Sequence, residues 1–205
     1  MAGGLATKFP VVSKAYCSLS QTTLMIRKRP RNINGGGFVA MDTSQVVAFA
    51  VDGCCVLGVN GECMVKDGNG NSILFISKKQ GGVLQAVSFN EQWRGFLMDF
   101  EMTSKLVFTL HEAKSWLVMN GSVKIFLEAK ENGRSSWDFE VLGSFTDRAC
   151  TIMDRRGNVV AEVKGEEKIA SKEFYSVVVQ PGHDQAFVIA VIAILDYING
   201  ESTRC

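Results

Sequence analysis

The chain has 205 residues, 46% hydrophobic and 21% charged, with a formal net charge of +1. That length and composition suit one globular domain with a sizeable core and exclude a disordered chain. The near-neutral balance excludes a whole-molecule field for nucleic acid or an anionic surface, so any such partner has to meet a local patch.

At the N-terminus, Met1 to Lys14 lack the long apolar stretch of a secretory signal, and Met1-Ala2-Gly3 lacks the glycine position that myristoylation needs. The expectation is a cytoplasmic chain forming a single domain over 1–205, with a disordered segment over 1–20 and a core over about 23–198. In a reducing compartment the six cysteines, Cys17, Cys54, Cys55, Cys63, Cys150 and Cys205, are expected as thiols rather than disulfides.

A first strand over Thr23–Ile26 ends in Arg27-Lys28-Arg29-Pro30-Arg31, the one dense basic run. Three readings of it stay open. It is a solvated loop, a nuclear-import sequence, or an anion patch in which Arg27, Lys28, Arg29 and Arg31 meet a phosphoinositide or other anionic lipid headgroup. Near an anionic surface each basic residue contributes about 1 kcal/mol. Lys78-Lys79 is a smaller cluster, and aromatics are too sparse beside either for a base-stacking platform.

The middle of the chain alternates with period 2. Val123, Ile125 and Leu127 interleave with Lys124 and Glu128, as a half-buried strand requires, and Leu106–Leu110 and Phe174–Val179 are runs of strand length. Glycine-rich turns separate these runs at about 8–12 residues, which indicates a meandering antiparallel sheet. An internal repeat reinforces this. Cys63 to Asn71 lines up without a gap on Cys150 to Asn158, each with a Val-Leu-Gly upstream (Val56 to Gly58, Val141 to Gly143). A fainter copy over Phe38–Val47 places Asp42 before its turn and Gln45 where the others have glycine. Each unit reads as strand, Asp-x-x-Gly-Asn turn, strand, the carboxylate binding turn N–H groups. Two copies imply two similar halves of one sheet.

The C-terminus changes character. Asp184 is placed to cap a helix over Gln185–Ile198 and Asn199-Gly200 to stop it. Ala186 to Leu195 are all apolar, so no face is polar. Such a helix would span about 21 Å, short of the ~30 Å membrane core, so it is expected buried in the domain and not spanning a bilayer. A sheet surrounding it on all sides has to curl into a barrel.

Candidate chemistry is thin. Asp67-x-Asn69-x-Asn71 begins like a calcium loop, but Ser72 and Lys78 stand where glycine and a bidentate glutamate belong. His111 and His183 are far apart in sequence, and Cys54-Cys55 are adjacent, so no zinc spacing exists. No catalytic, cofactor-binding or metal site is therefore expected, and the chain is read as a non-enzymatic module.

Several blocks resemble one family: Trp93-Arg94-Gly95-Phe96, Trp137-Asp138-Phe139-Glu140-x-x-Gly143, Asp154-x-x-Gly157-x-Val159, and Phe174-Tyr175-x-Val177-x-Val179-x-Pro181-Gly182-x-Asp184-x-Ala186-Phe187. They resemble the LURP-one-related proteins of plants. The resemblance implies a fold like the tubby C-terminal domain and the phospholipid scramblases: a closed antiparallel barrel of about twelve strands around a central C-terminal helix. For function it implies a link to plant defence. Through the tubby-like fold it also implies phosphoinositide recognition at a membrane surface; together with the N-terminus and the basic run, the expected location is cytoplasmic, and peripheral at the plasma membrane or nuclear. The alternative is a protein-interaction or structural module of defence signalling with no lipid role.

Overall fold

A computed structural model describes residues 10–30, 35–79, 90–98, 104–113, 122–128, 136–165 and 173–204. Among them are twelve strands: β1 (Thr22–Lys28), β2 (Phe38–Met41), β3 (Val47–Asp52), β4 (Glu62–Asp67), β5 (Ser72–Lys78), β6 (Asn90–Met98), β7 (Ser104–Ala113), β8 (Val123–Leu127), β9 (Phe139–Ser144), β10 (Ala149–Asp154), β11 (Val159–Gly165) and β12 (Phe174–Val179). Each pairs antiparallel with its sequence neighbours, and β1 pairs with β12 through Thr22↔Val179 to Arg27↔Phe174, closing the barrel. Closure leaves no edge to be protected.

The period-2 pattern explains the inside. Leu24 and Ile26 on β1, Phe38 and Ala40 on β2, Val65 on β4, Leu74 and Ile76 on β5, and Phe108 and Leu110 on β7 all point inward and are buried. They enclose the C-terminal helix α2 (Gln185–Ile198), in which every residue from Ala186 to Tyr197 is buried. The helix bounds match those expected from the apolar run and its caps. Burying each large apolar side chain contributes about 1.5–3 kcal/mol, so the helix and its sheathing strands form one cooperative core. Among the described residues no helix is long and apolar enough to cross a membrane.

Asp184 caps α2, accepting the Phe187 N–H at 3.2 Å. The same carboxylate accepts from the Val12 and Ser13 N–H groups at 2.7 and 3.0 Å, so residues 10–20 are tied to the barrel, which departs from the disorder expected there. Residues 1–9 lie outside the described residues.

The Asp turns close three hairpins in one geometry. Oδ1 of Asp42, Asp67 and Asp154 accepts two backbone N–H groups each, two and four residues on, at 2.8–2.9 Å. The fourth turn position is left-handed in all three: Gly70 and Gly157 at φ +87° and +81°, and Gln45 at φ +63°. Gln45 thus holds the glycine conformation without being glycine. The repeat hairpins β4–β5 and β10–β11 lie six steps apart either way round the ring, on opposite walls.

Two expectations are corrected. Val141 to Gly143 lie in β9, whereas Val56 and Leu57 belong to a short helix α1 (Cys54–Leu57) that Gly58 ends at φ +76°, so these segments are not equivalent. Cys54 is disulfide-bonded, not a thiol as expected, while Cys17, Cys63 and Cys150 are thiols.

Candidate functional site

The two ends of the barrel differ chemically. β1 starts beside the helix N-terminus, where Gln185 reaches Thr22 at 3.5 Å, and runs to the other end, where the chain emerges from α2. The basic run therefore lies beside the C-terminal tail, residues 200–204. The three Asp turns lie at the opposite end.

Arg27 is exposed on the outer face of β1. Lys28 and Arg29 are not free. Lys28 Nζ forms an ion pair with Glu201 Oε2. Arg29 Nη2 donates to the Val51 carbonyl and to Asp52 Oδ1, the latter at 2.5 Å, while Lys66 Nζ holds Asp52 Oδ2 at 2.7 Å. Burial alone would raise the Asp52 pKa, but the Lys66 and Arg29 hydrogen bonds outweigh it and hold the carboxyl below its usual range. Arg29 thus fastens β1 to β3. Arg31 lies outside the described residues.

Glycines allow this closeness. Gly37 accepts from the Arg29 N–H at 2.8 Å and donates to the Ser202 carbonyl at 2.7 Å. A Cβ on Gly37 would lie 2.0 Å from the Val51 oxygen, and one on Gly53 would lie 2.7 Å from the Thr203 backbone. The tail is fixed from below as well: Asp196 accepts the Thr203 N–H at 2.6 Å and the Ser202 hydroxyl at 3.0 Å, and the Cys54 N–H donates to Thr203 at 3.1 Å. Burial pushes the Asp196 carboxyl up, against the Thr203 bonds that lower it.

One contributor was invisible in the sequence. Arg148, on the turn between β9 and β10, places Nη2 2.7 Å from Glu201 Oε2, the same oxygen that Lys28 contacts. Its Nη1 donates to the Phe145 carbonyl at 3.0 Å, and its guanidinium carbon lies 4.6 and 4.2 Å from the Phe145 and Tyr175 ring centres. The residue is 7% exposed and left-handed at φ +55°. A lone arginine after Thr146-Asp147 carries no motif; only the closed barrel brings it to Lys28. Burial would raise the Glu201 pKa, but the bonds from Lys28 and Arg148 prevail and hold it below the usual range.

The other constellations make defined local contacts. Asp67 and Asn71 bond each other at 3.0 Å within their turn, and the described residues contain no group of three metal-ligand side chains. His111 bonds Gln92 at 3.0 Å, and burial lowers its pKa. Burial pushes the Cys63 and Cys150 thiols up to about 12, leaving almost no thiolate to act as a nucleophile at neutral pH. Lys78 pairs with Glu91 at 2.6 Å.

A family model described as LURP-one-related matches residues 22–196. Protein LURP-one-related 6 and Protein LURP-one-related 16 of Arabidopsis thaliana are each 46% identical to the chain, over 196 and 206 residues. These alignments cover 95% and 96% of this chain and 98% and 95% of the relatives. Protein LURP1 of the same plant is 23% identical over 190 residues, covering 90% of this chain and 87% of its own. The X-ray structure of an Arabidopsis thaliana protein, 24% identical, superposes with a TM-score of 0.65 over 92% of this chain and 98% of that one, a likeness of fold.

Proposed function

The chain belongs to the LURP-one-related family, and on that premise we propose that it is a non-enzymatic binding module of plant defence signalling that recognises an anionic lipid headgroup, a phosphoinositide first, at a membrane surface. The observation that carries this reading is the convergence of Lys28 and Arg148, from distant parts of the chain, on one carboxylate oxygen at the barrel end that also presents Arg27. The barrel interior is filled by α2, which directs recognition to the outer surface and the rim. A cytoplasmic protein held peripherally at a membrane would meet its headgroup there.

The magnitudes set the terms. Arg27, the exposed member, would contribute about 1 kcal/mol, and Lys28 and Arg148 would each add about 1 kcal/mol only when Glu201 does not neutralise them. Arg29 is withdrawn from the patch, because it is committed to Val51 and Asp52. That same commitment favours a second reading, in which the run is structural and the module engages a protein partner without lipid.

Vesicle flotation separates the two. Lipid recognition requires greater, salt-sensitive recovery on phosphatidylcholine vesicles carrying a phosphoinositide than on phosphatidylcholine alone, reduced in Arg27→Ala. Equal recovery on both would reject it and leave the protein-partner reading.

A further inference from the structure

Glu201 occupies the place a ligand oxyanion would take. We propose that Lys28 and Arg148 form an oxyanion clamp for a phosphate ester, and that Glu201 is its built-in competitor, so that the free protein is self-blocked and binding proceeds by exchange of the carboxylate for phosphate. The proposal rests on the anion-recognition reading above and adds to it the residue that restrains it.

Three features support exchange. First, both cations reach the same atom, Oε2 of Glu201, so one singly charged group faces two positive ones. A phosphate monoester, with ≈ −1.5 to −2 charge and three acceptor oxygens, matches that pair better than a carboxylate. Second, the clamp is formed in advance. Arg148 is held between the Phe145 and Tyr175 rings and by the Phe145 carbonyl, contacts that do not involve Glu201, in a backbone conformation a non-glycine residue rarely adopts. Such a conformation persists only where the surroundings over-determine it. The Tyr175 hydroxyl beneath it is buried with no hydrogen-bond partner among the described residues. Third, Glu201 can leave without unravelling the barrel. Its side chain and that of Lys28 are 15% and 16% exposed, so the pair sits at the solvent boundary. The tail backbone is fixed independently by Asp196, Gly37 and Cys54, so the barrel end stays assembled when the carboxylate turns away.

The exchange predicts a weak resting state. With Glu201 in place Arg27 is the exposed member of these three cations; once the carboxylate swings out, Lys28 and Arg148 are opened at the same barrel end.

The test compares the full chain with Glu201→Gln, using inorganic phosphate at constant ionic strength and phosphatidylcholine vesicles with and without a phosphoinositide. Removing one opposing charge from a half-buried pair is expected to tighten phosphate binding roughly tenfold, and Lys28→Met in the Glu201→Gln background is expected to abolish the gain. A Glu201→Gln gain with both probes identifies a headgroup phosphate, and a gain with inorganic phosphate alone identifies a free phosphate ester; either supports the clamp. If the wild-type protein selects phosphoinositide vesicles but Glu201→Gln is no tighter, the self-blocking proposal is overturned while lipid recognition stands. If neither protein responds to either probe, both fail. Should Glu201→Gln melt early, its stability is expected to be regained in phosphate but not in chloride of equal ionic strength. No difference between the two salts would count against the clamp.

Discussion

Phe187, on the first turn of α2, is 2% exposed and packs against Phe108 of β7 at 5.4 Å and Phe139 of β9 at 5.0 Å. Truncating it to alanine removes a ring that strands on one wall close around, and the wall cannot collapse without breaking register. The expected loss is about 3–5 kcal/mol, a large share of the ~5–15 kcal/mol that holds a domain together. For a chain of this length each kcal/mol lowers Tm by about 2–4 °C, so Phe187→Ala should melt roughly 6–20 °C early. Denaturant unfolding followed by tryptophan fluorescence, with calorimetry, measures both. The same cluster can be strained from the other side. A Cβ on Gly95 would lie 2.1 Å from the Phe108 ring, so Gly95→Ala should cost about 1–3 kcal/mol. Its cost should shrink when Phe108→Leu is present, since the two share one clash. Ile192→Asp, a charge in the sheathed interior, should abolish cooperative folding. A Phe187→Ala protein that loses less than about 1 kcal/mol would refute the helix-filled barrel.

Gln45→Gly should stabilise the protein by about 1 kcal/mol, because it removes the left-handed penalty from the β2–β3 turn; a chemical melt reads the gain. Arg27→Ala should change stability by less than about 0.5 kcal/mol, whereas Arg29→Ala, which strips a bond from buried Asp52, should cost about 2 kcal/mol or more. Burial raises the Asp196 carboxyl from 3.8 to about 6, so the native state takes up its proton more readily than the unfolded chain. Its contribution to stability is therefore greatest at low pH and falls as pH rises towards about 6. Glu201 works the opposite way, its contribution being lost as pH falls below 4.5. Between these limits Asp196 lowers the midpoint as pH rises while His111 works against it, and the difference between wild type and Asp196→Asn isolates the Asp196 slope.

Much of the barrel was legible because its signals are local. The alternation of Val123 to Leu127, the Asp turns and the unbroken apolar run of α2 each depend on a few adjacent residues, and they specify strands, hairpins and a sheathed helix. Asp184 and Asn199 mark the helix ends for the same reason. The site was far less legible. Lys28 and Arg29 stood out as charge, but their partners Glu201 and Asp52 lie 173 and 23 residues away, and only barrel closure brings them together. Arg148 had no local pattern at all. Val56 to Gly58 misled because a matched tripeptide carries no strand signal by itself, and α1 forms where the Gly53 N-cap meets the tail.

Nitrogen-resolved NMR of the wild-type protein titrated with a soluble inositol phosphate at fixed ionic strength locates the anion directly. The predicted result is that the Arg148 guanidinium, Lys28, Glu201 and Arg27 signals shift together and saturate, while the turns at Asp42, Asp67 and Asp154 stay still. Shifts confined to that opposite end, or none at any residue, would contradict anion recognition at the tail end of the barrel.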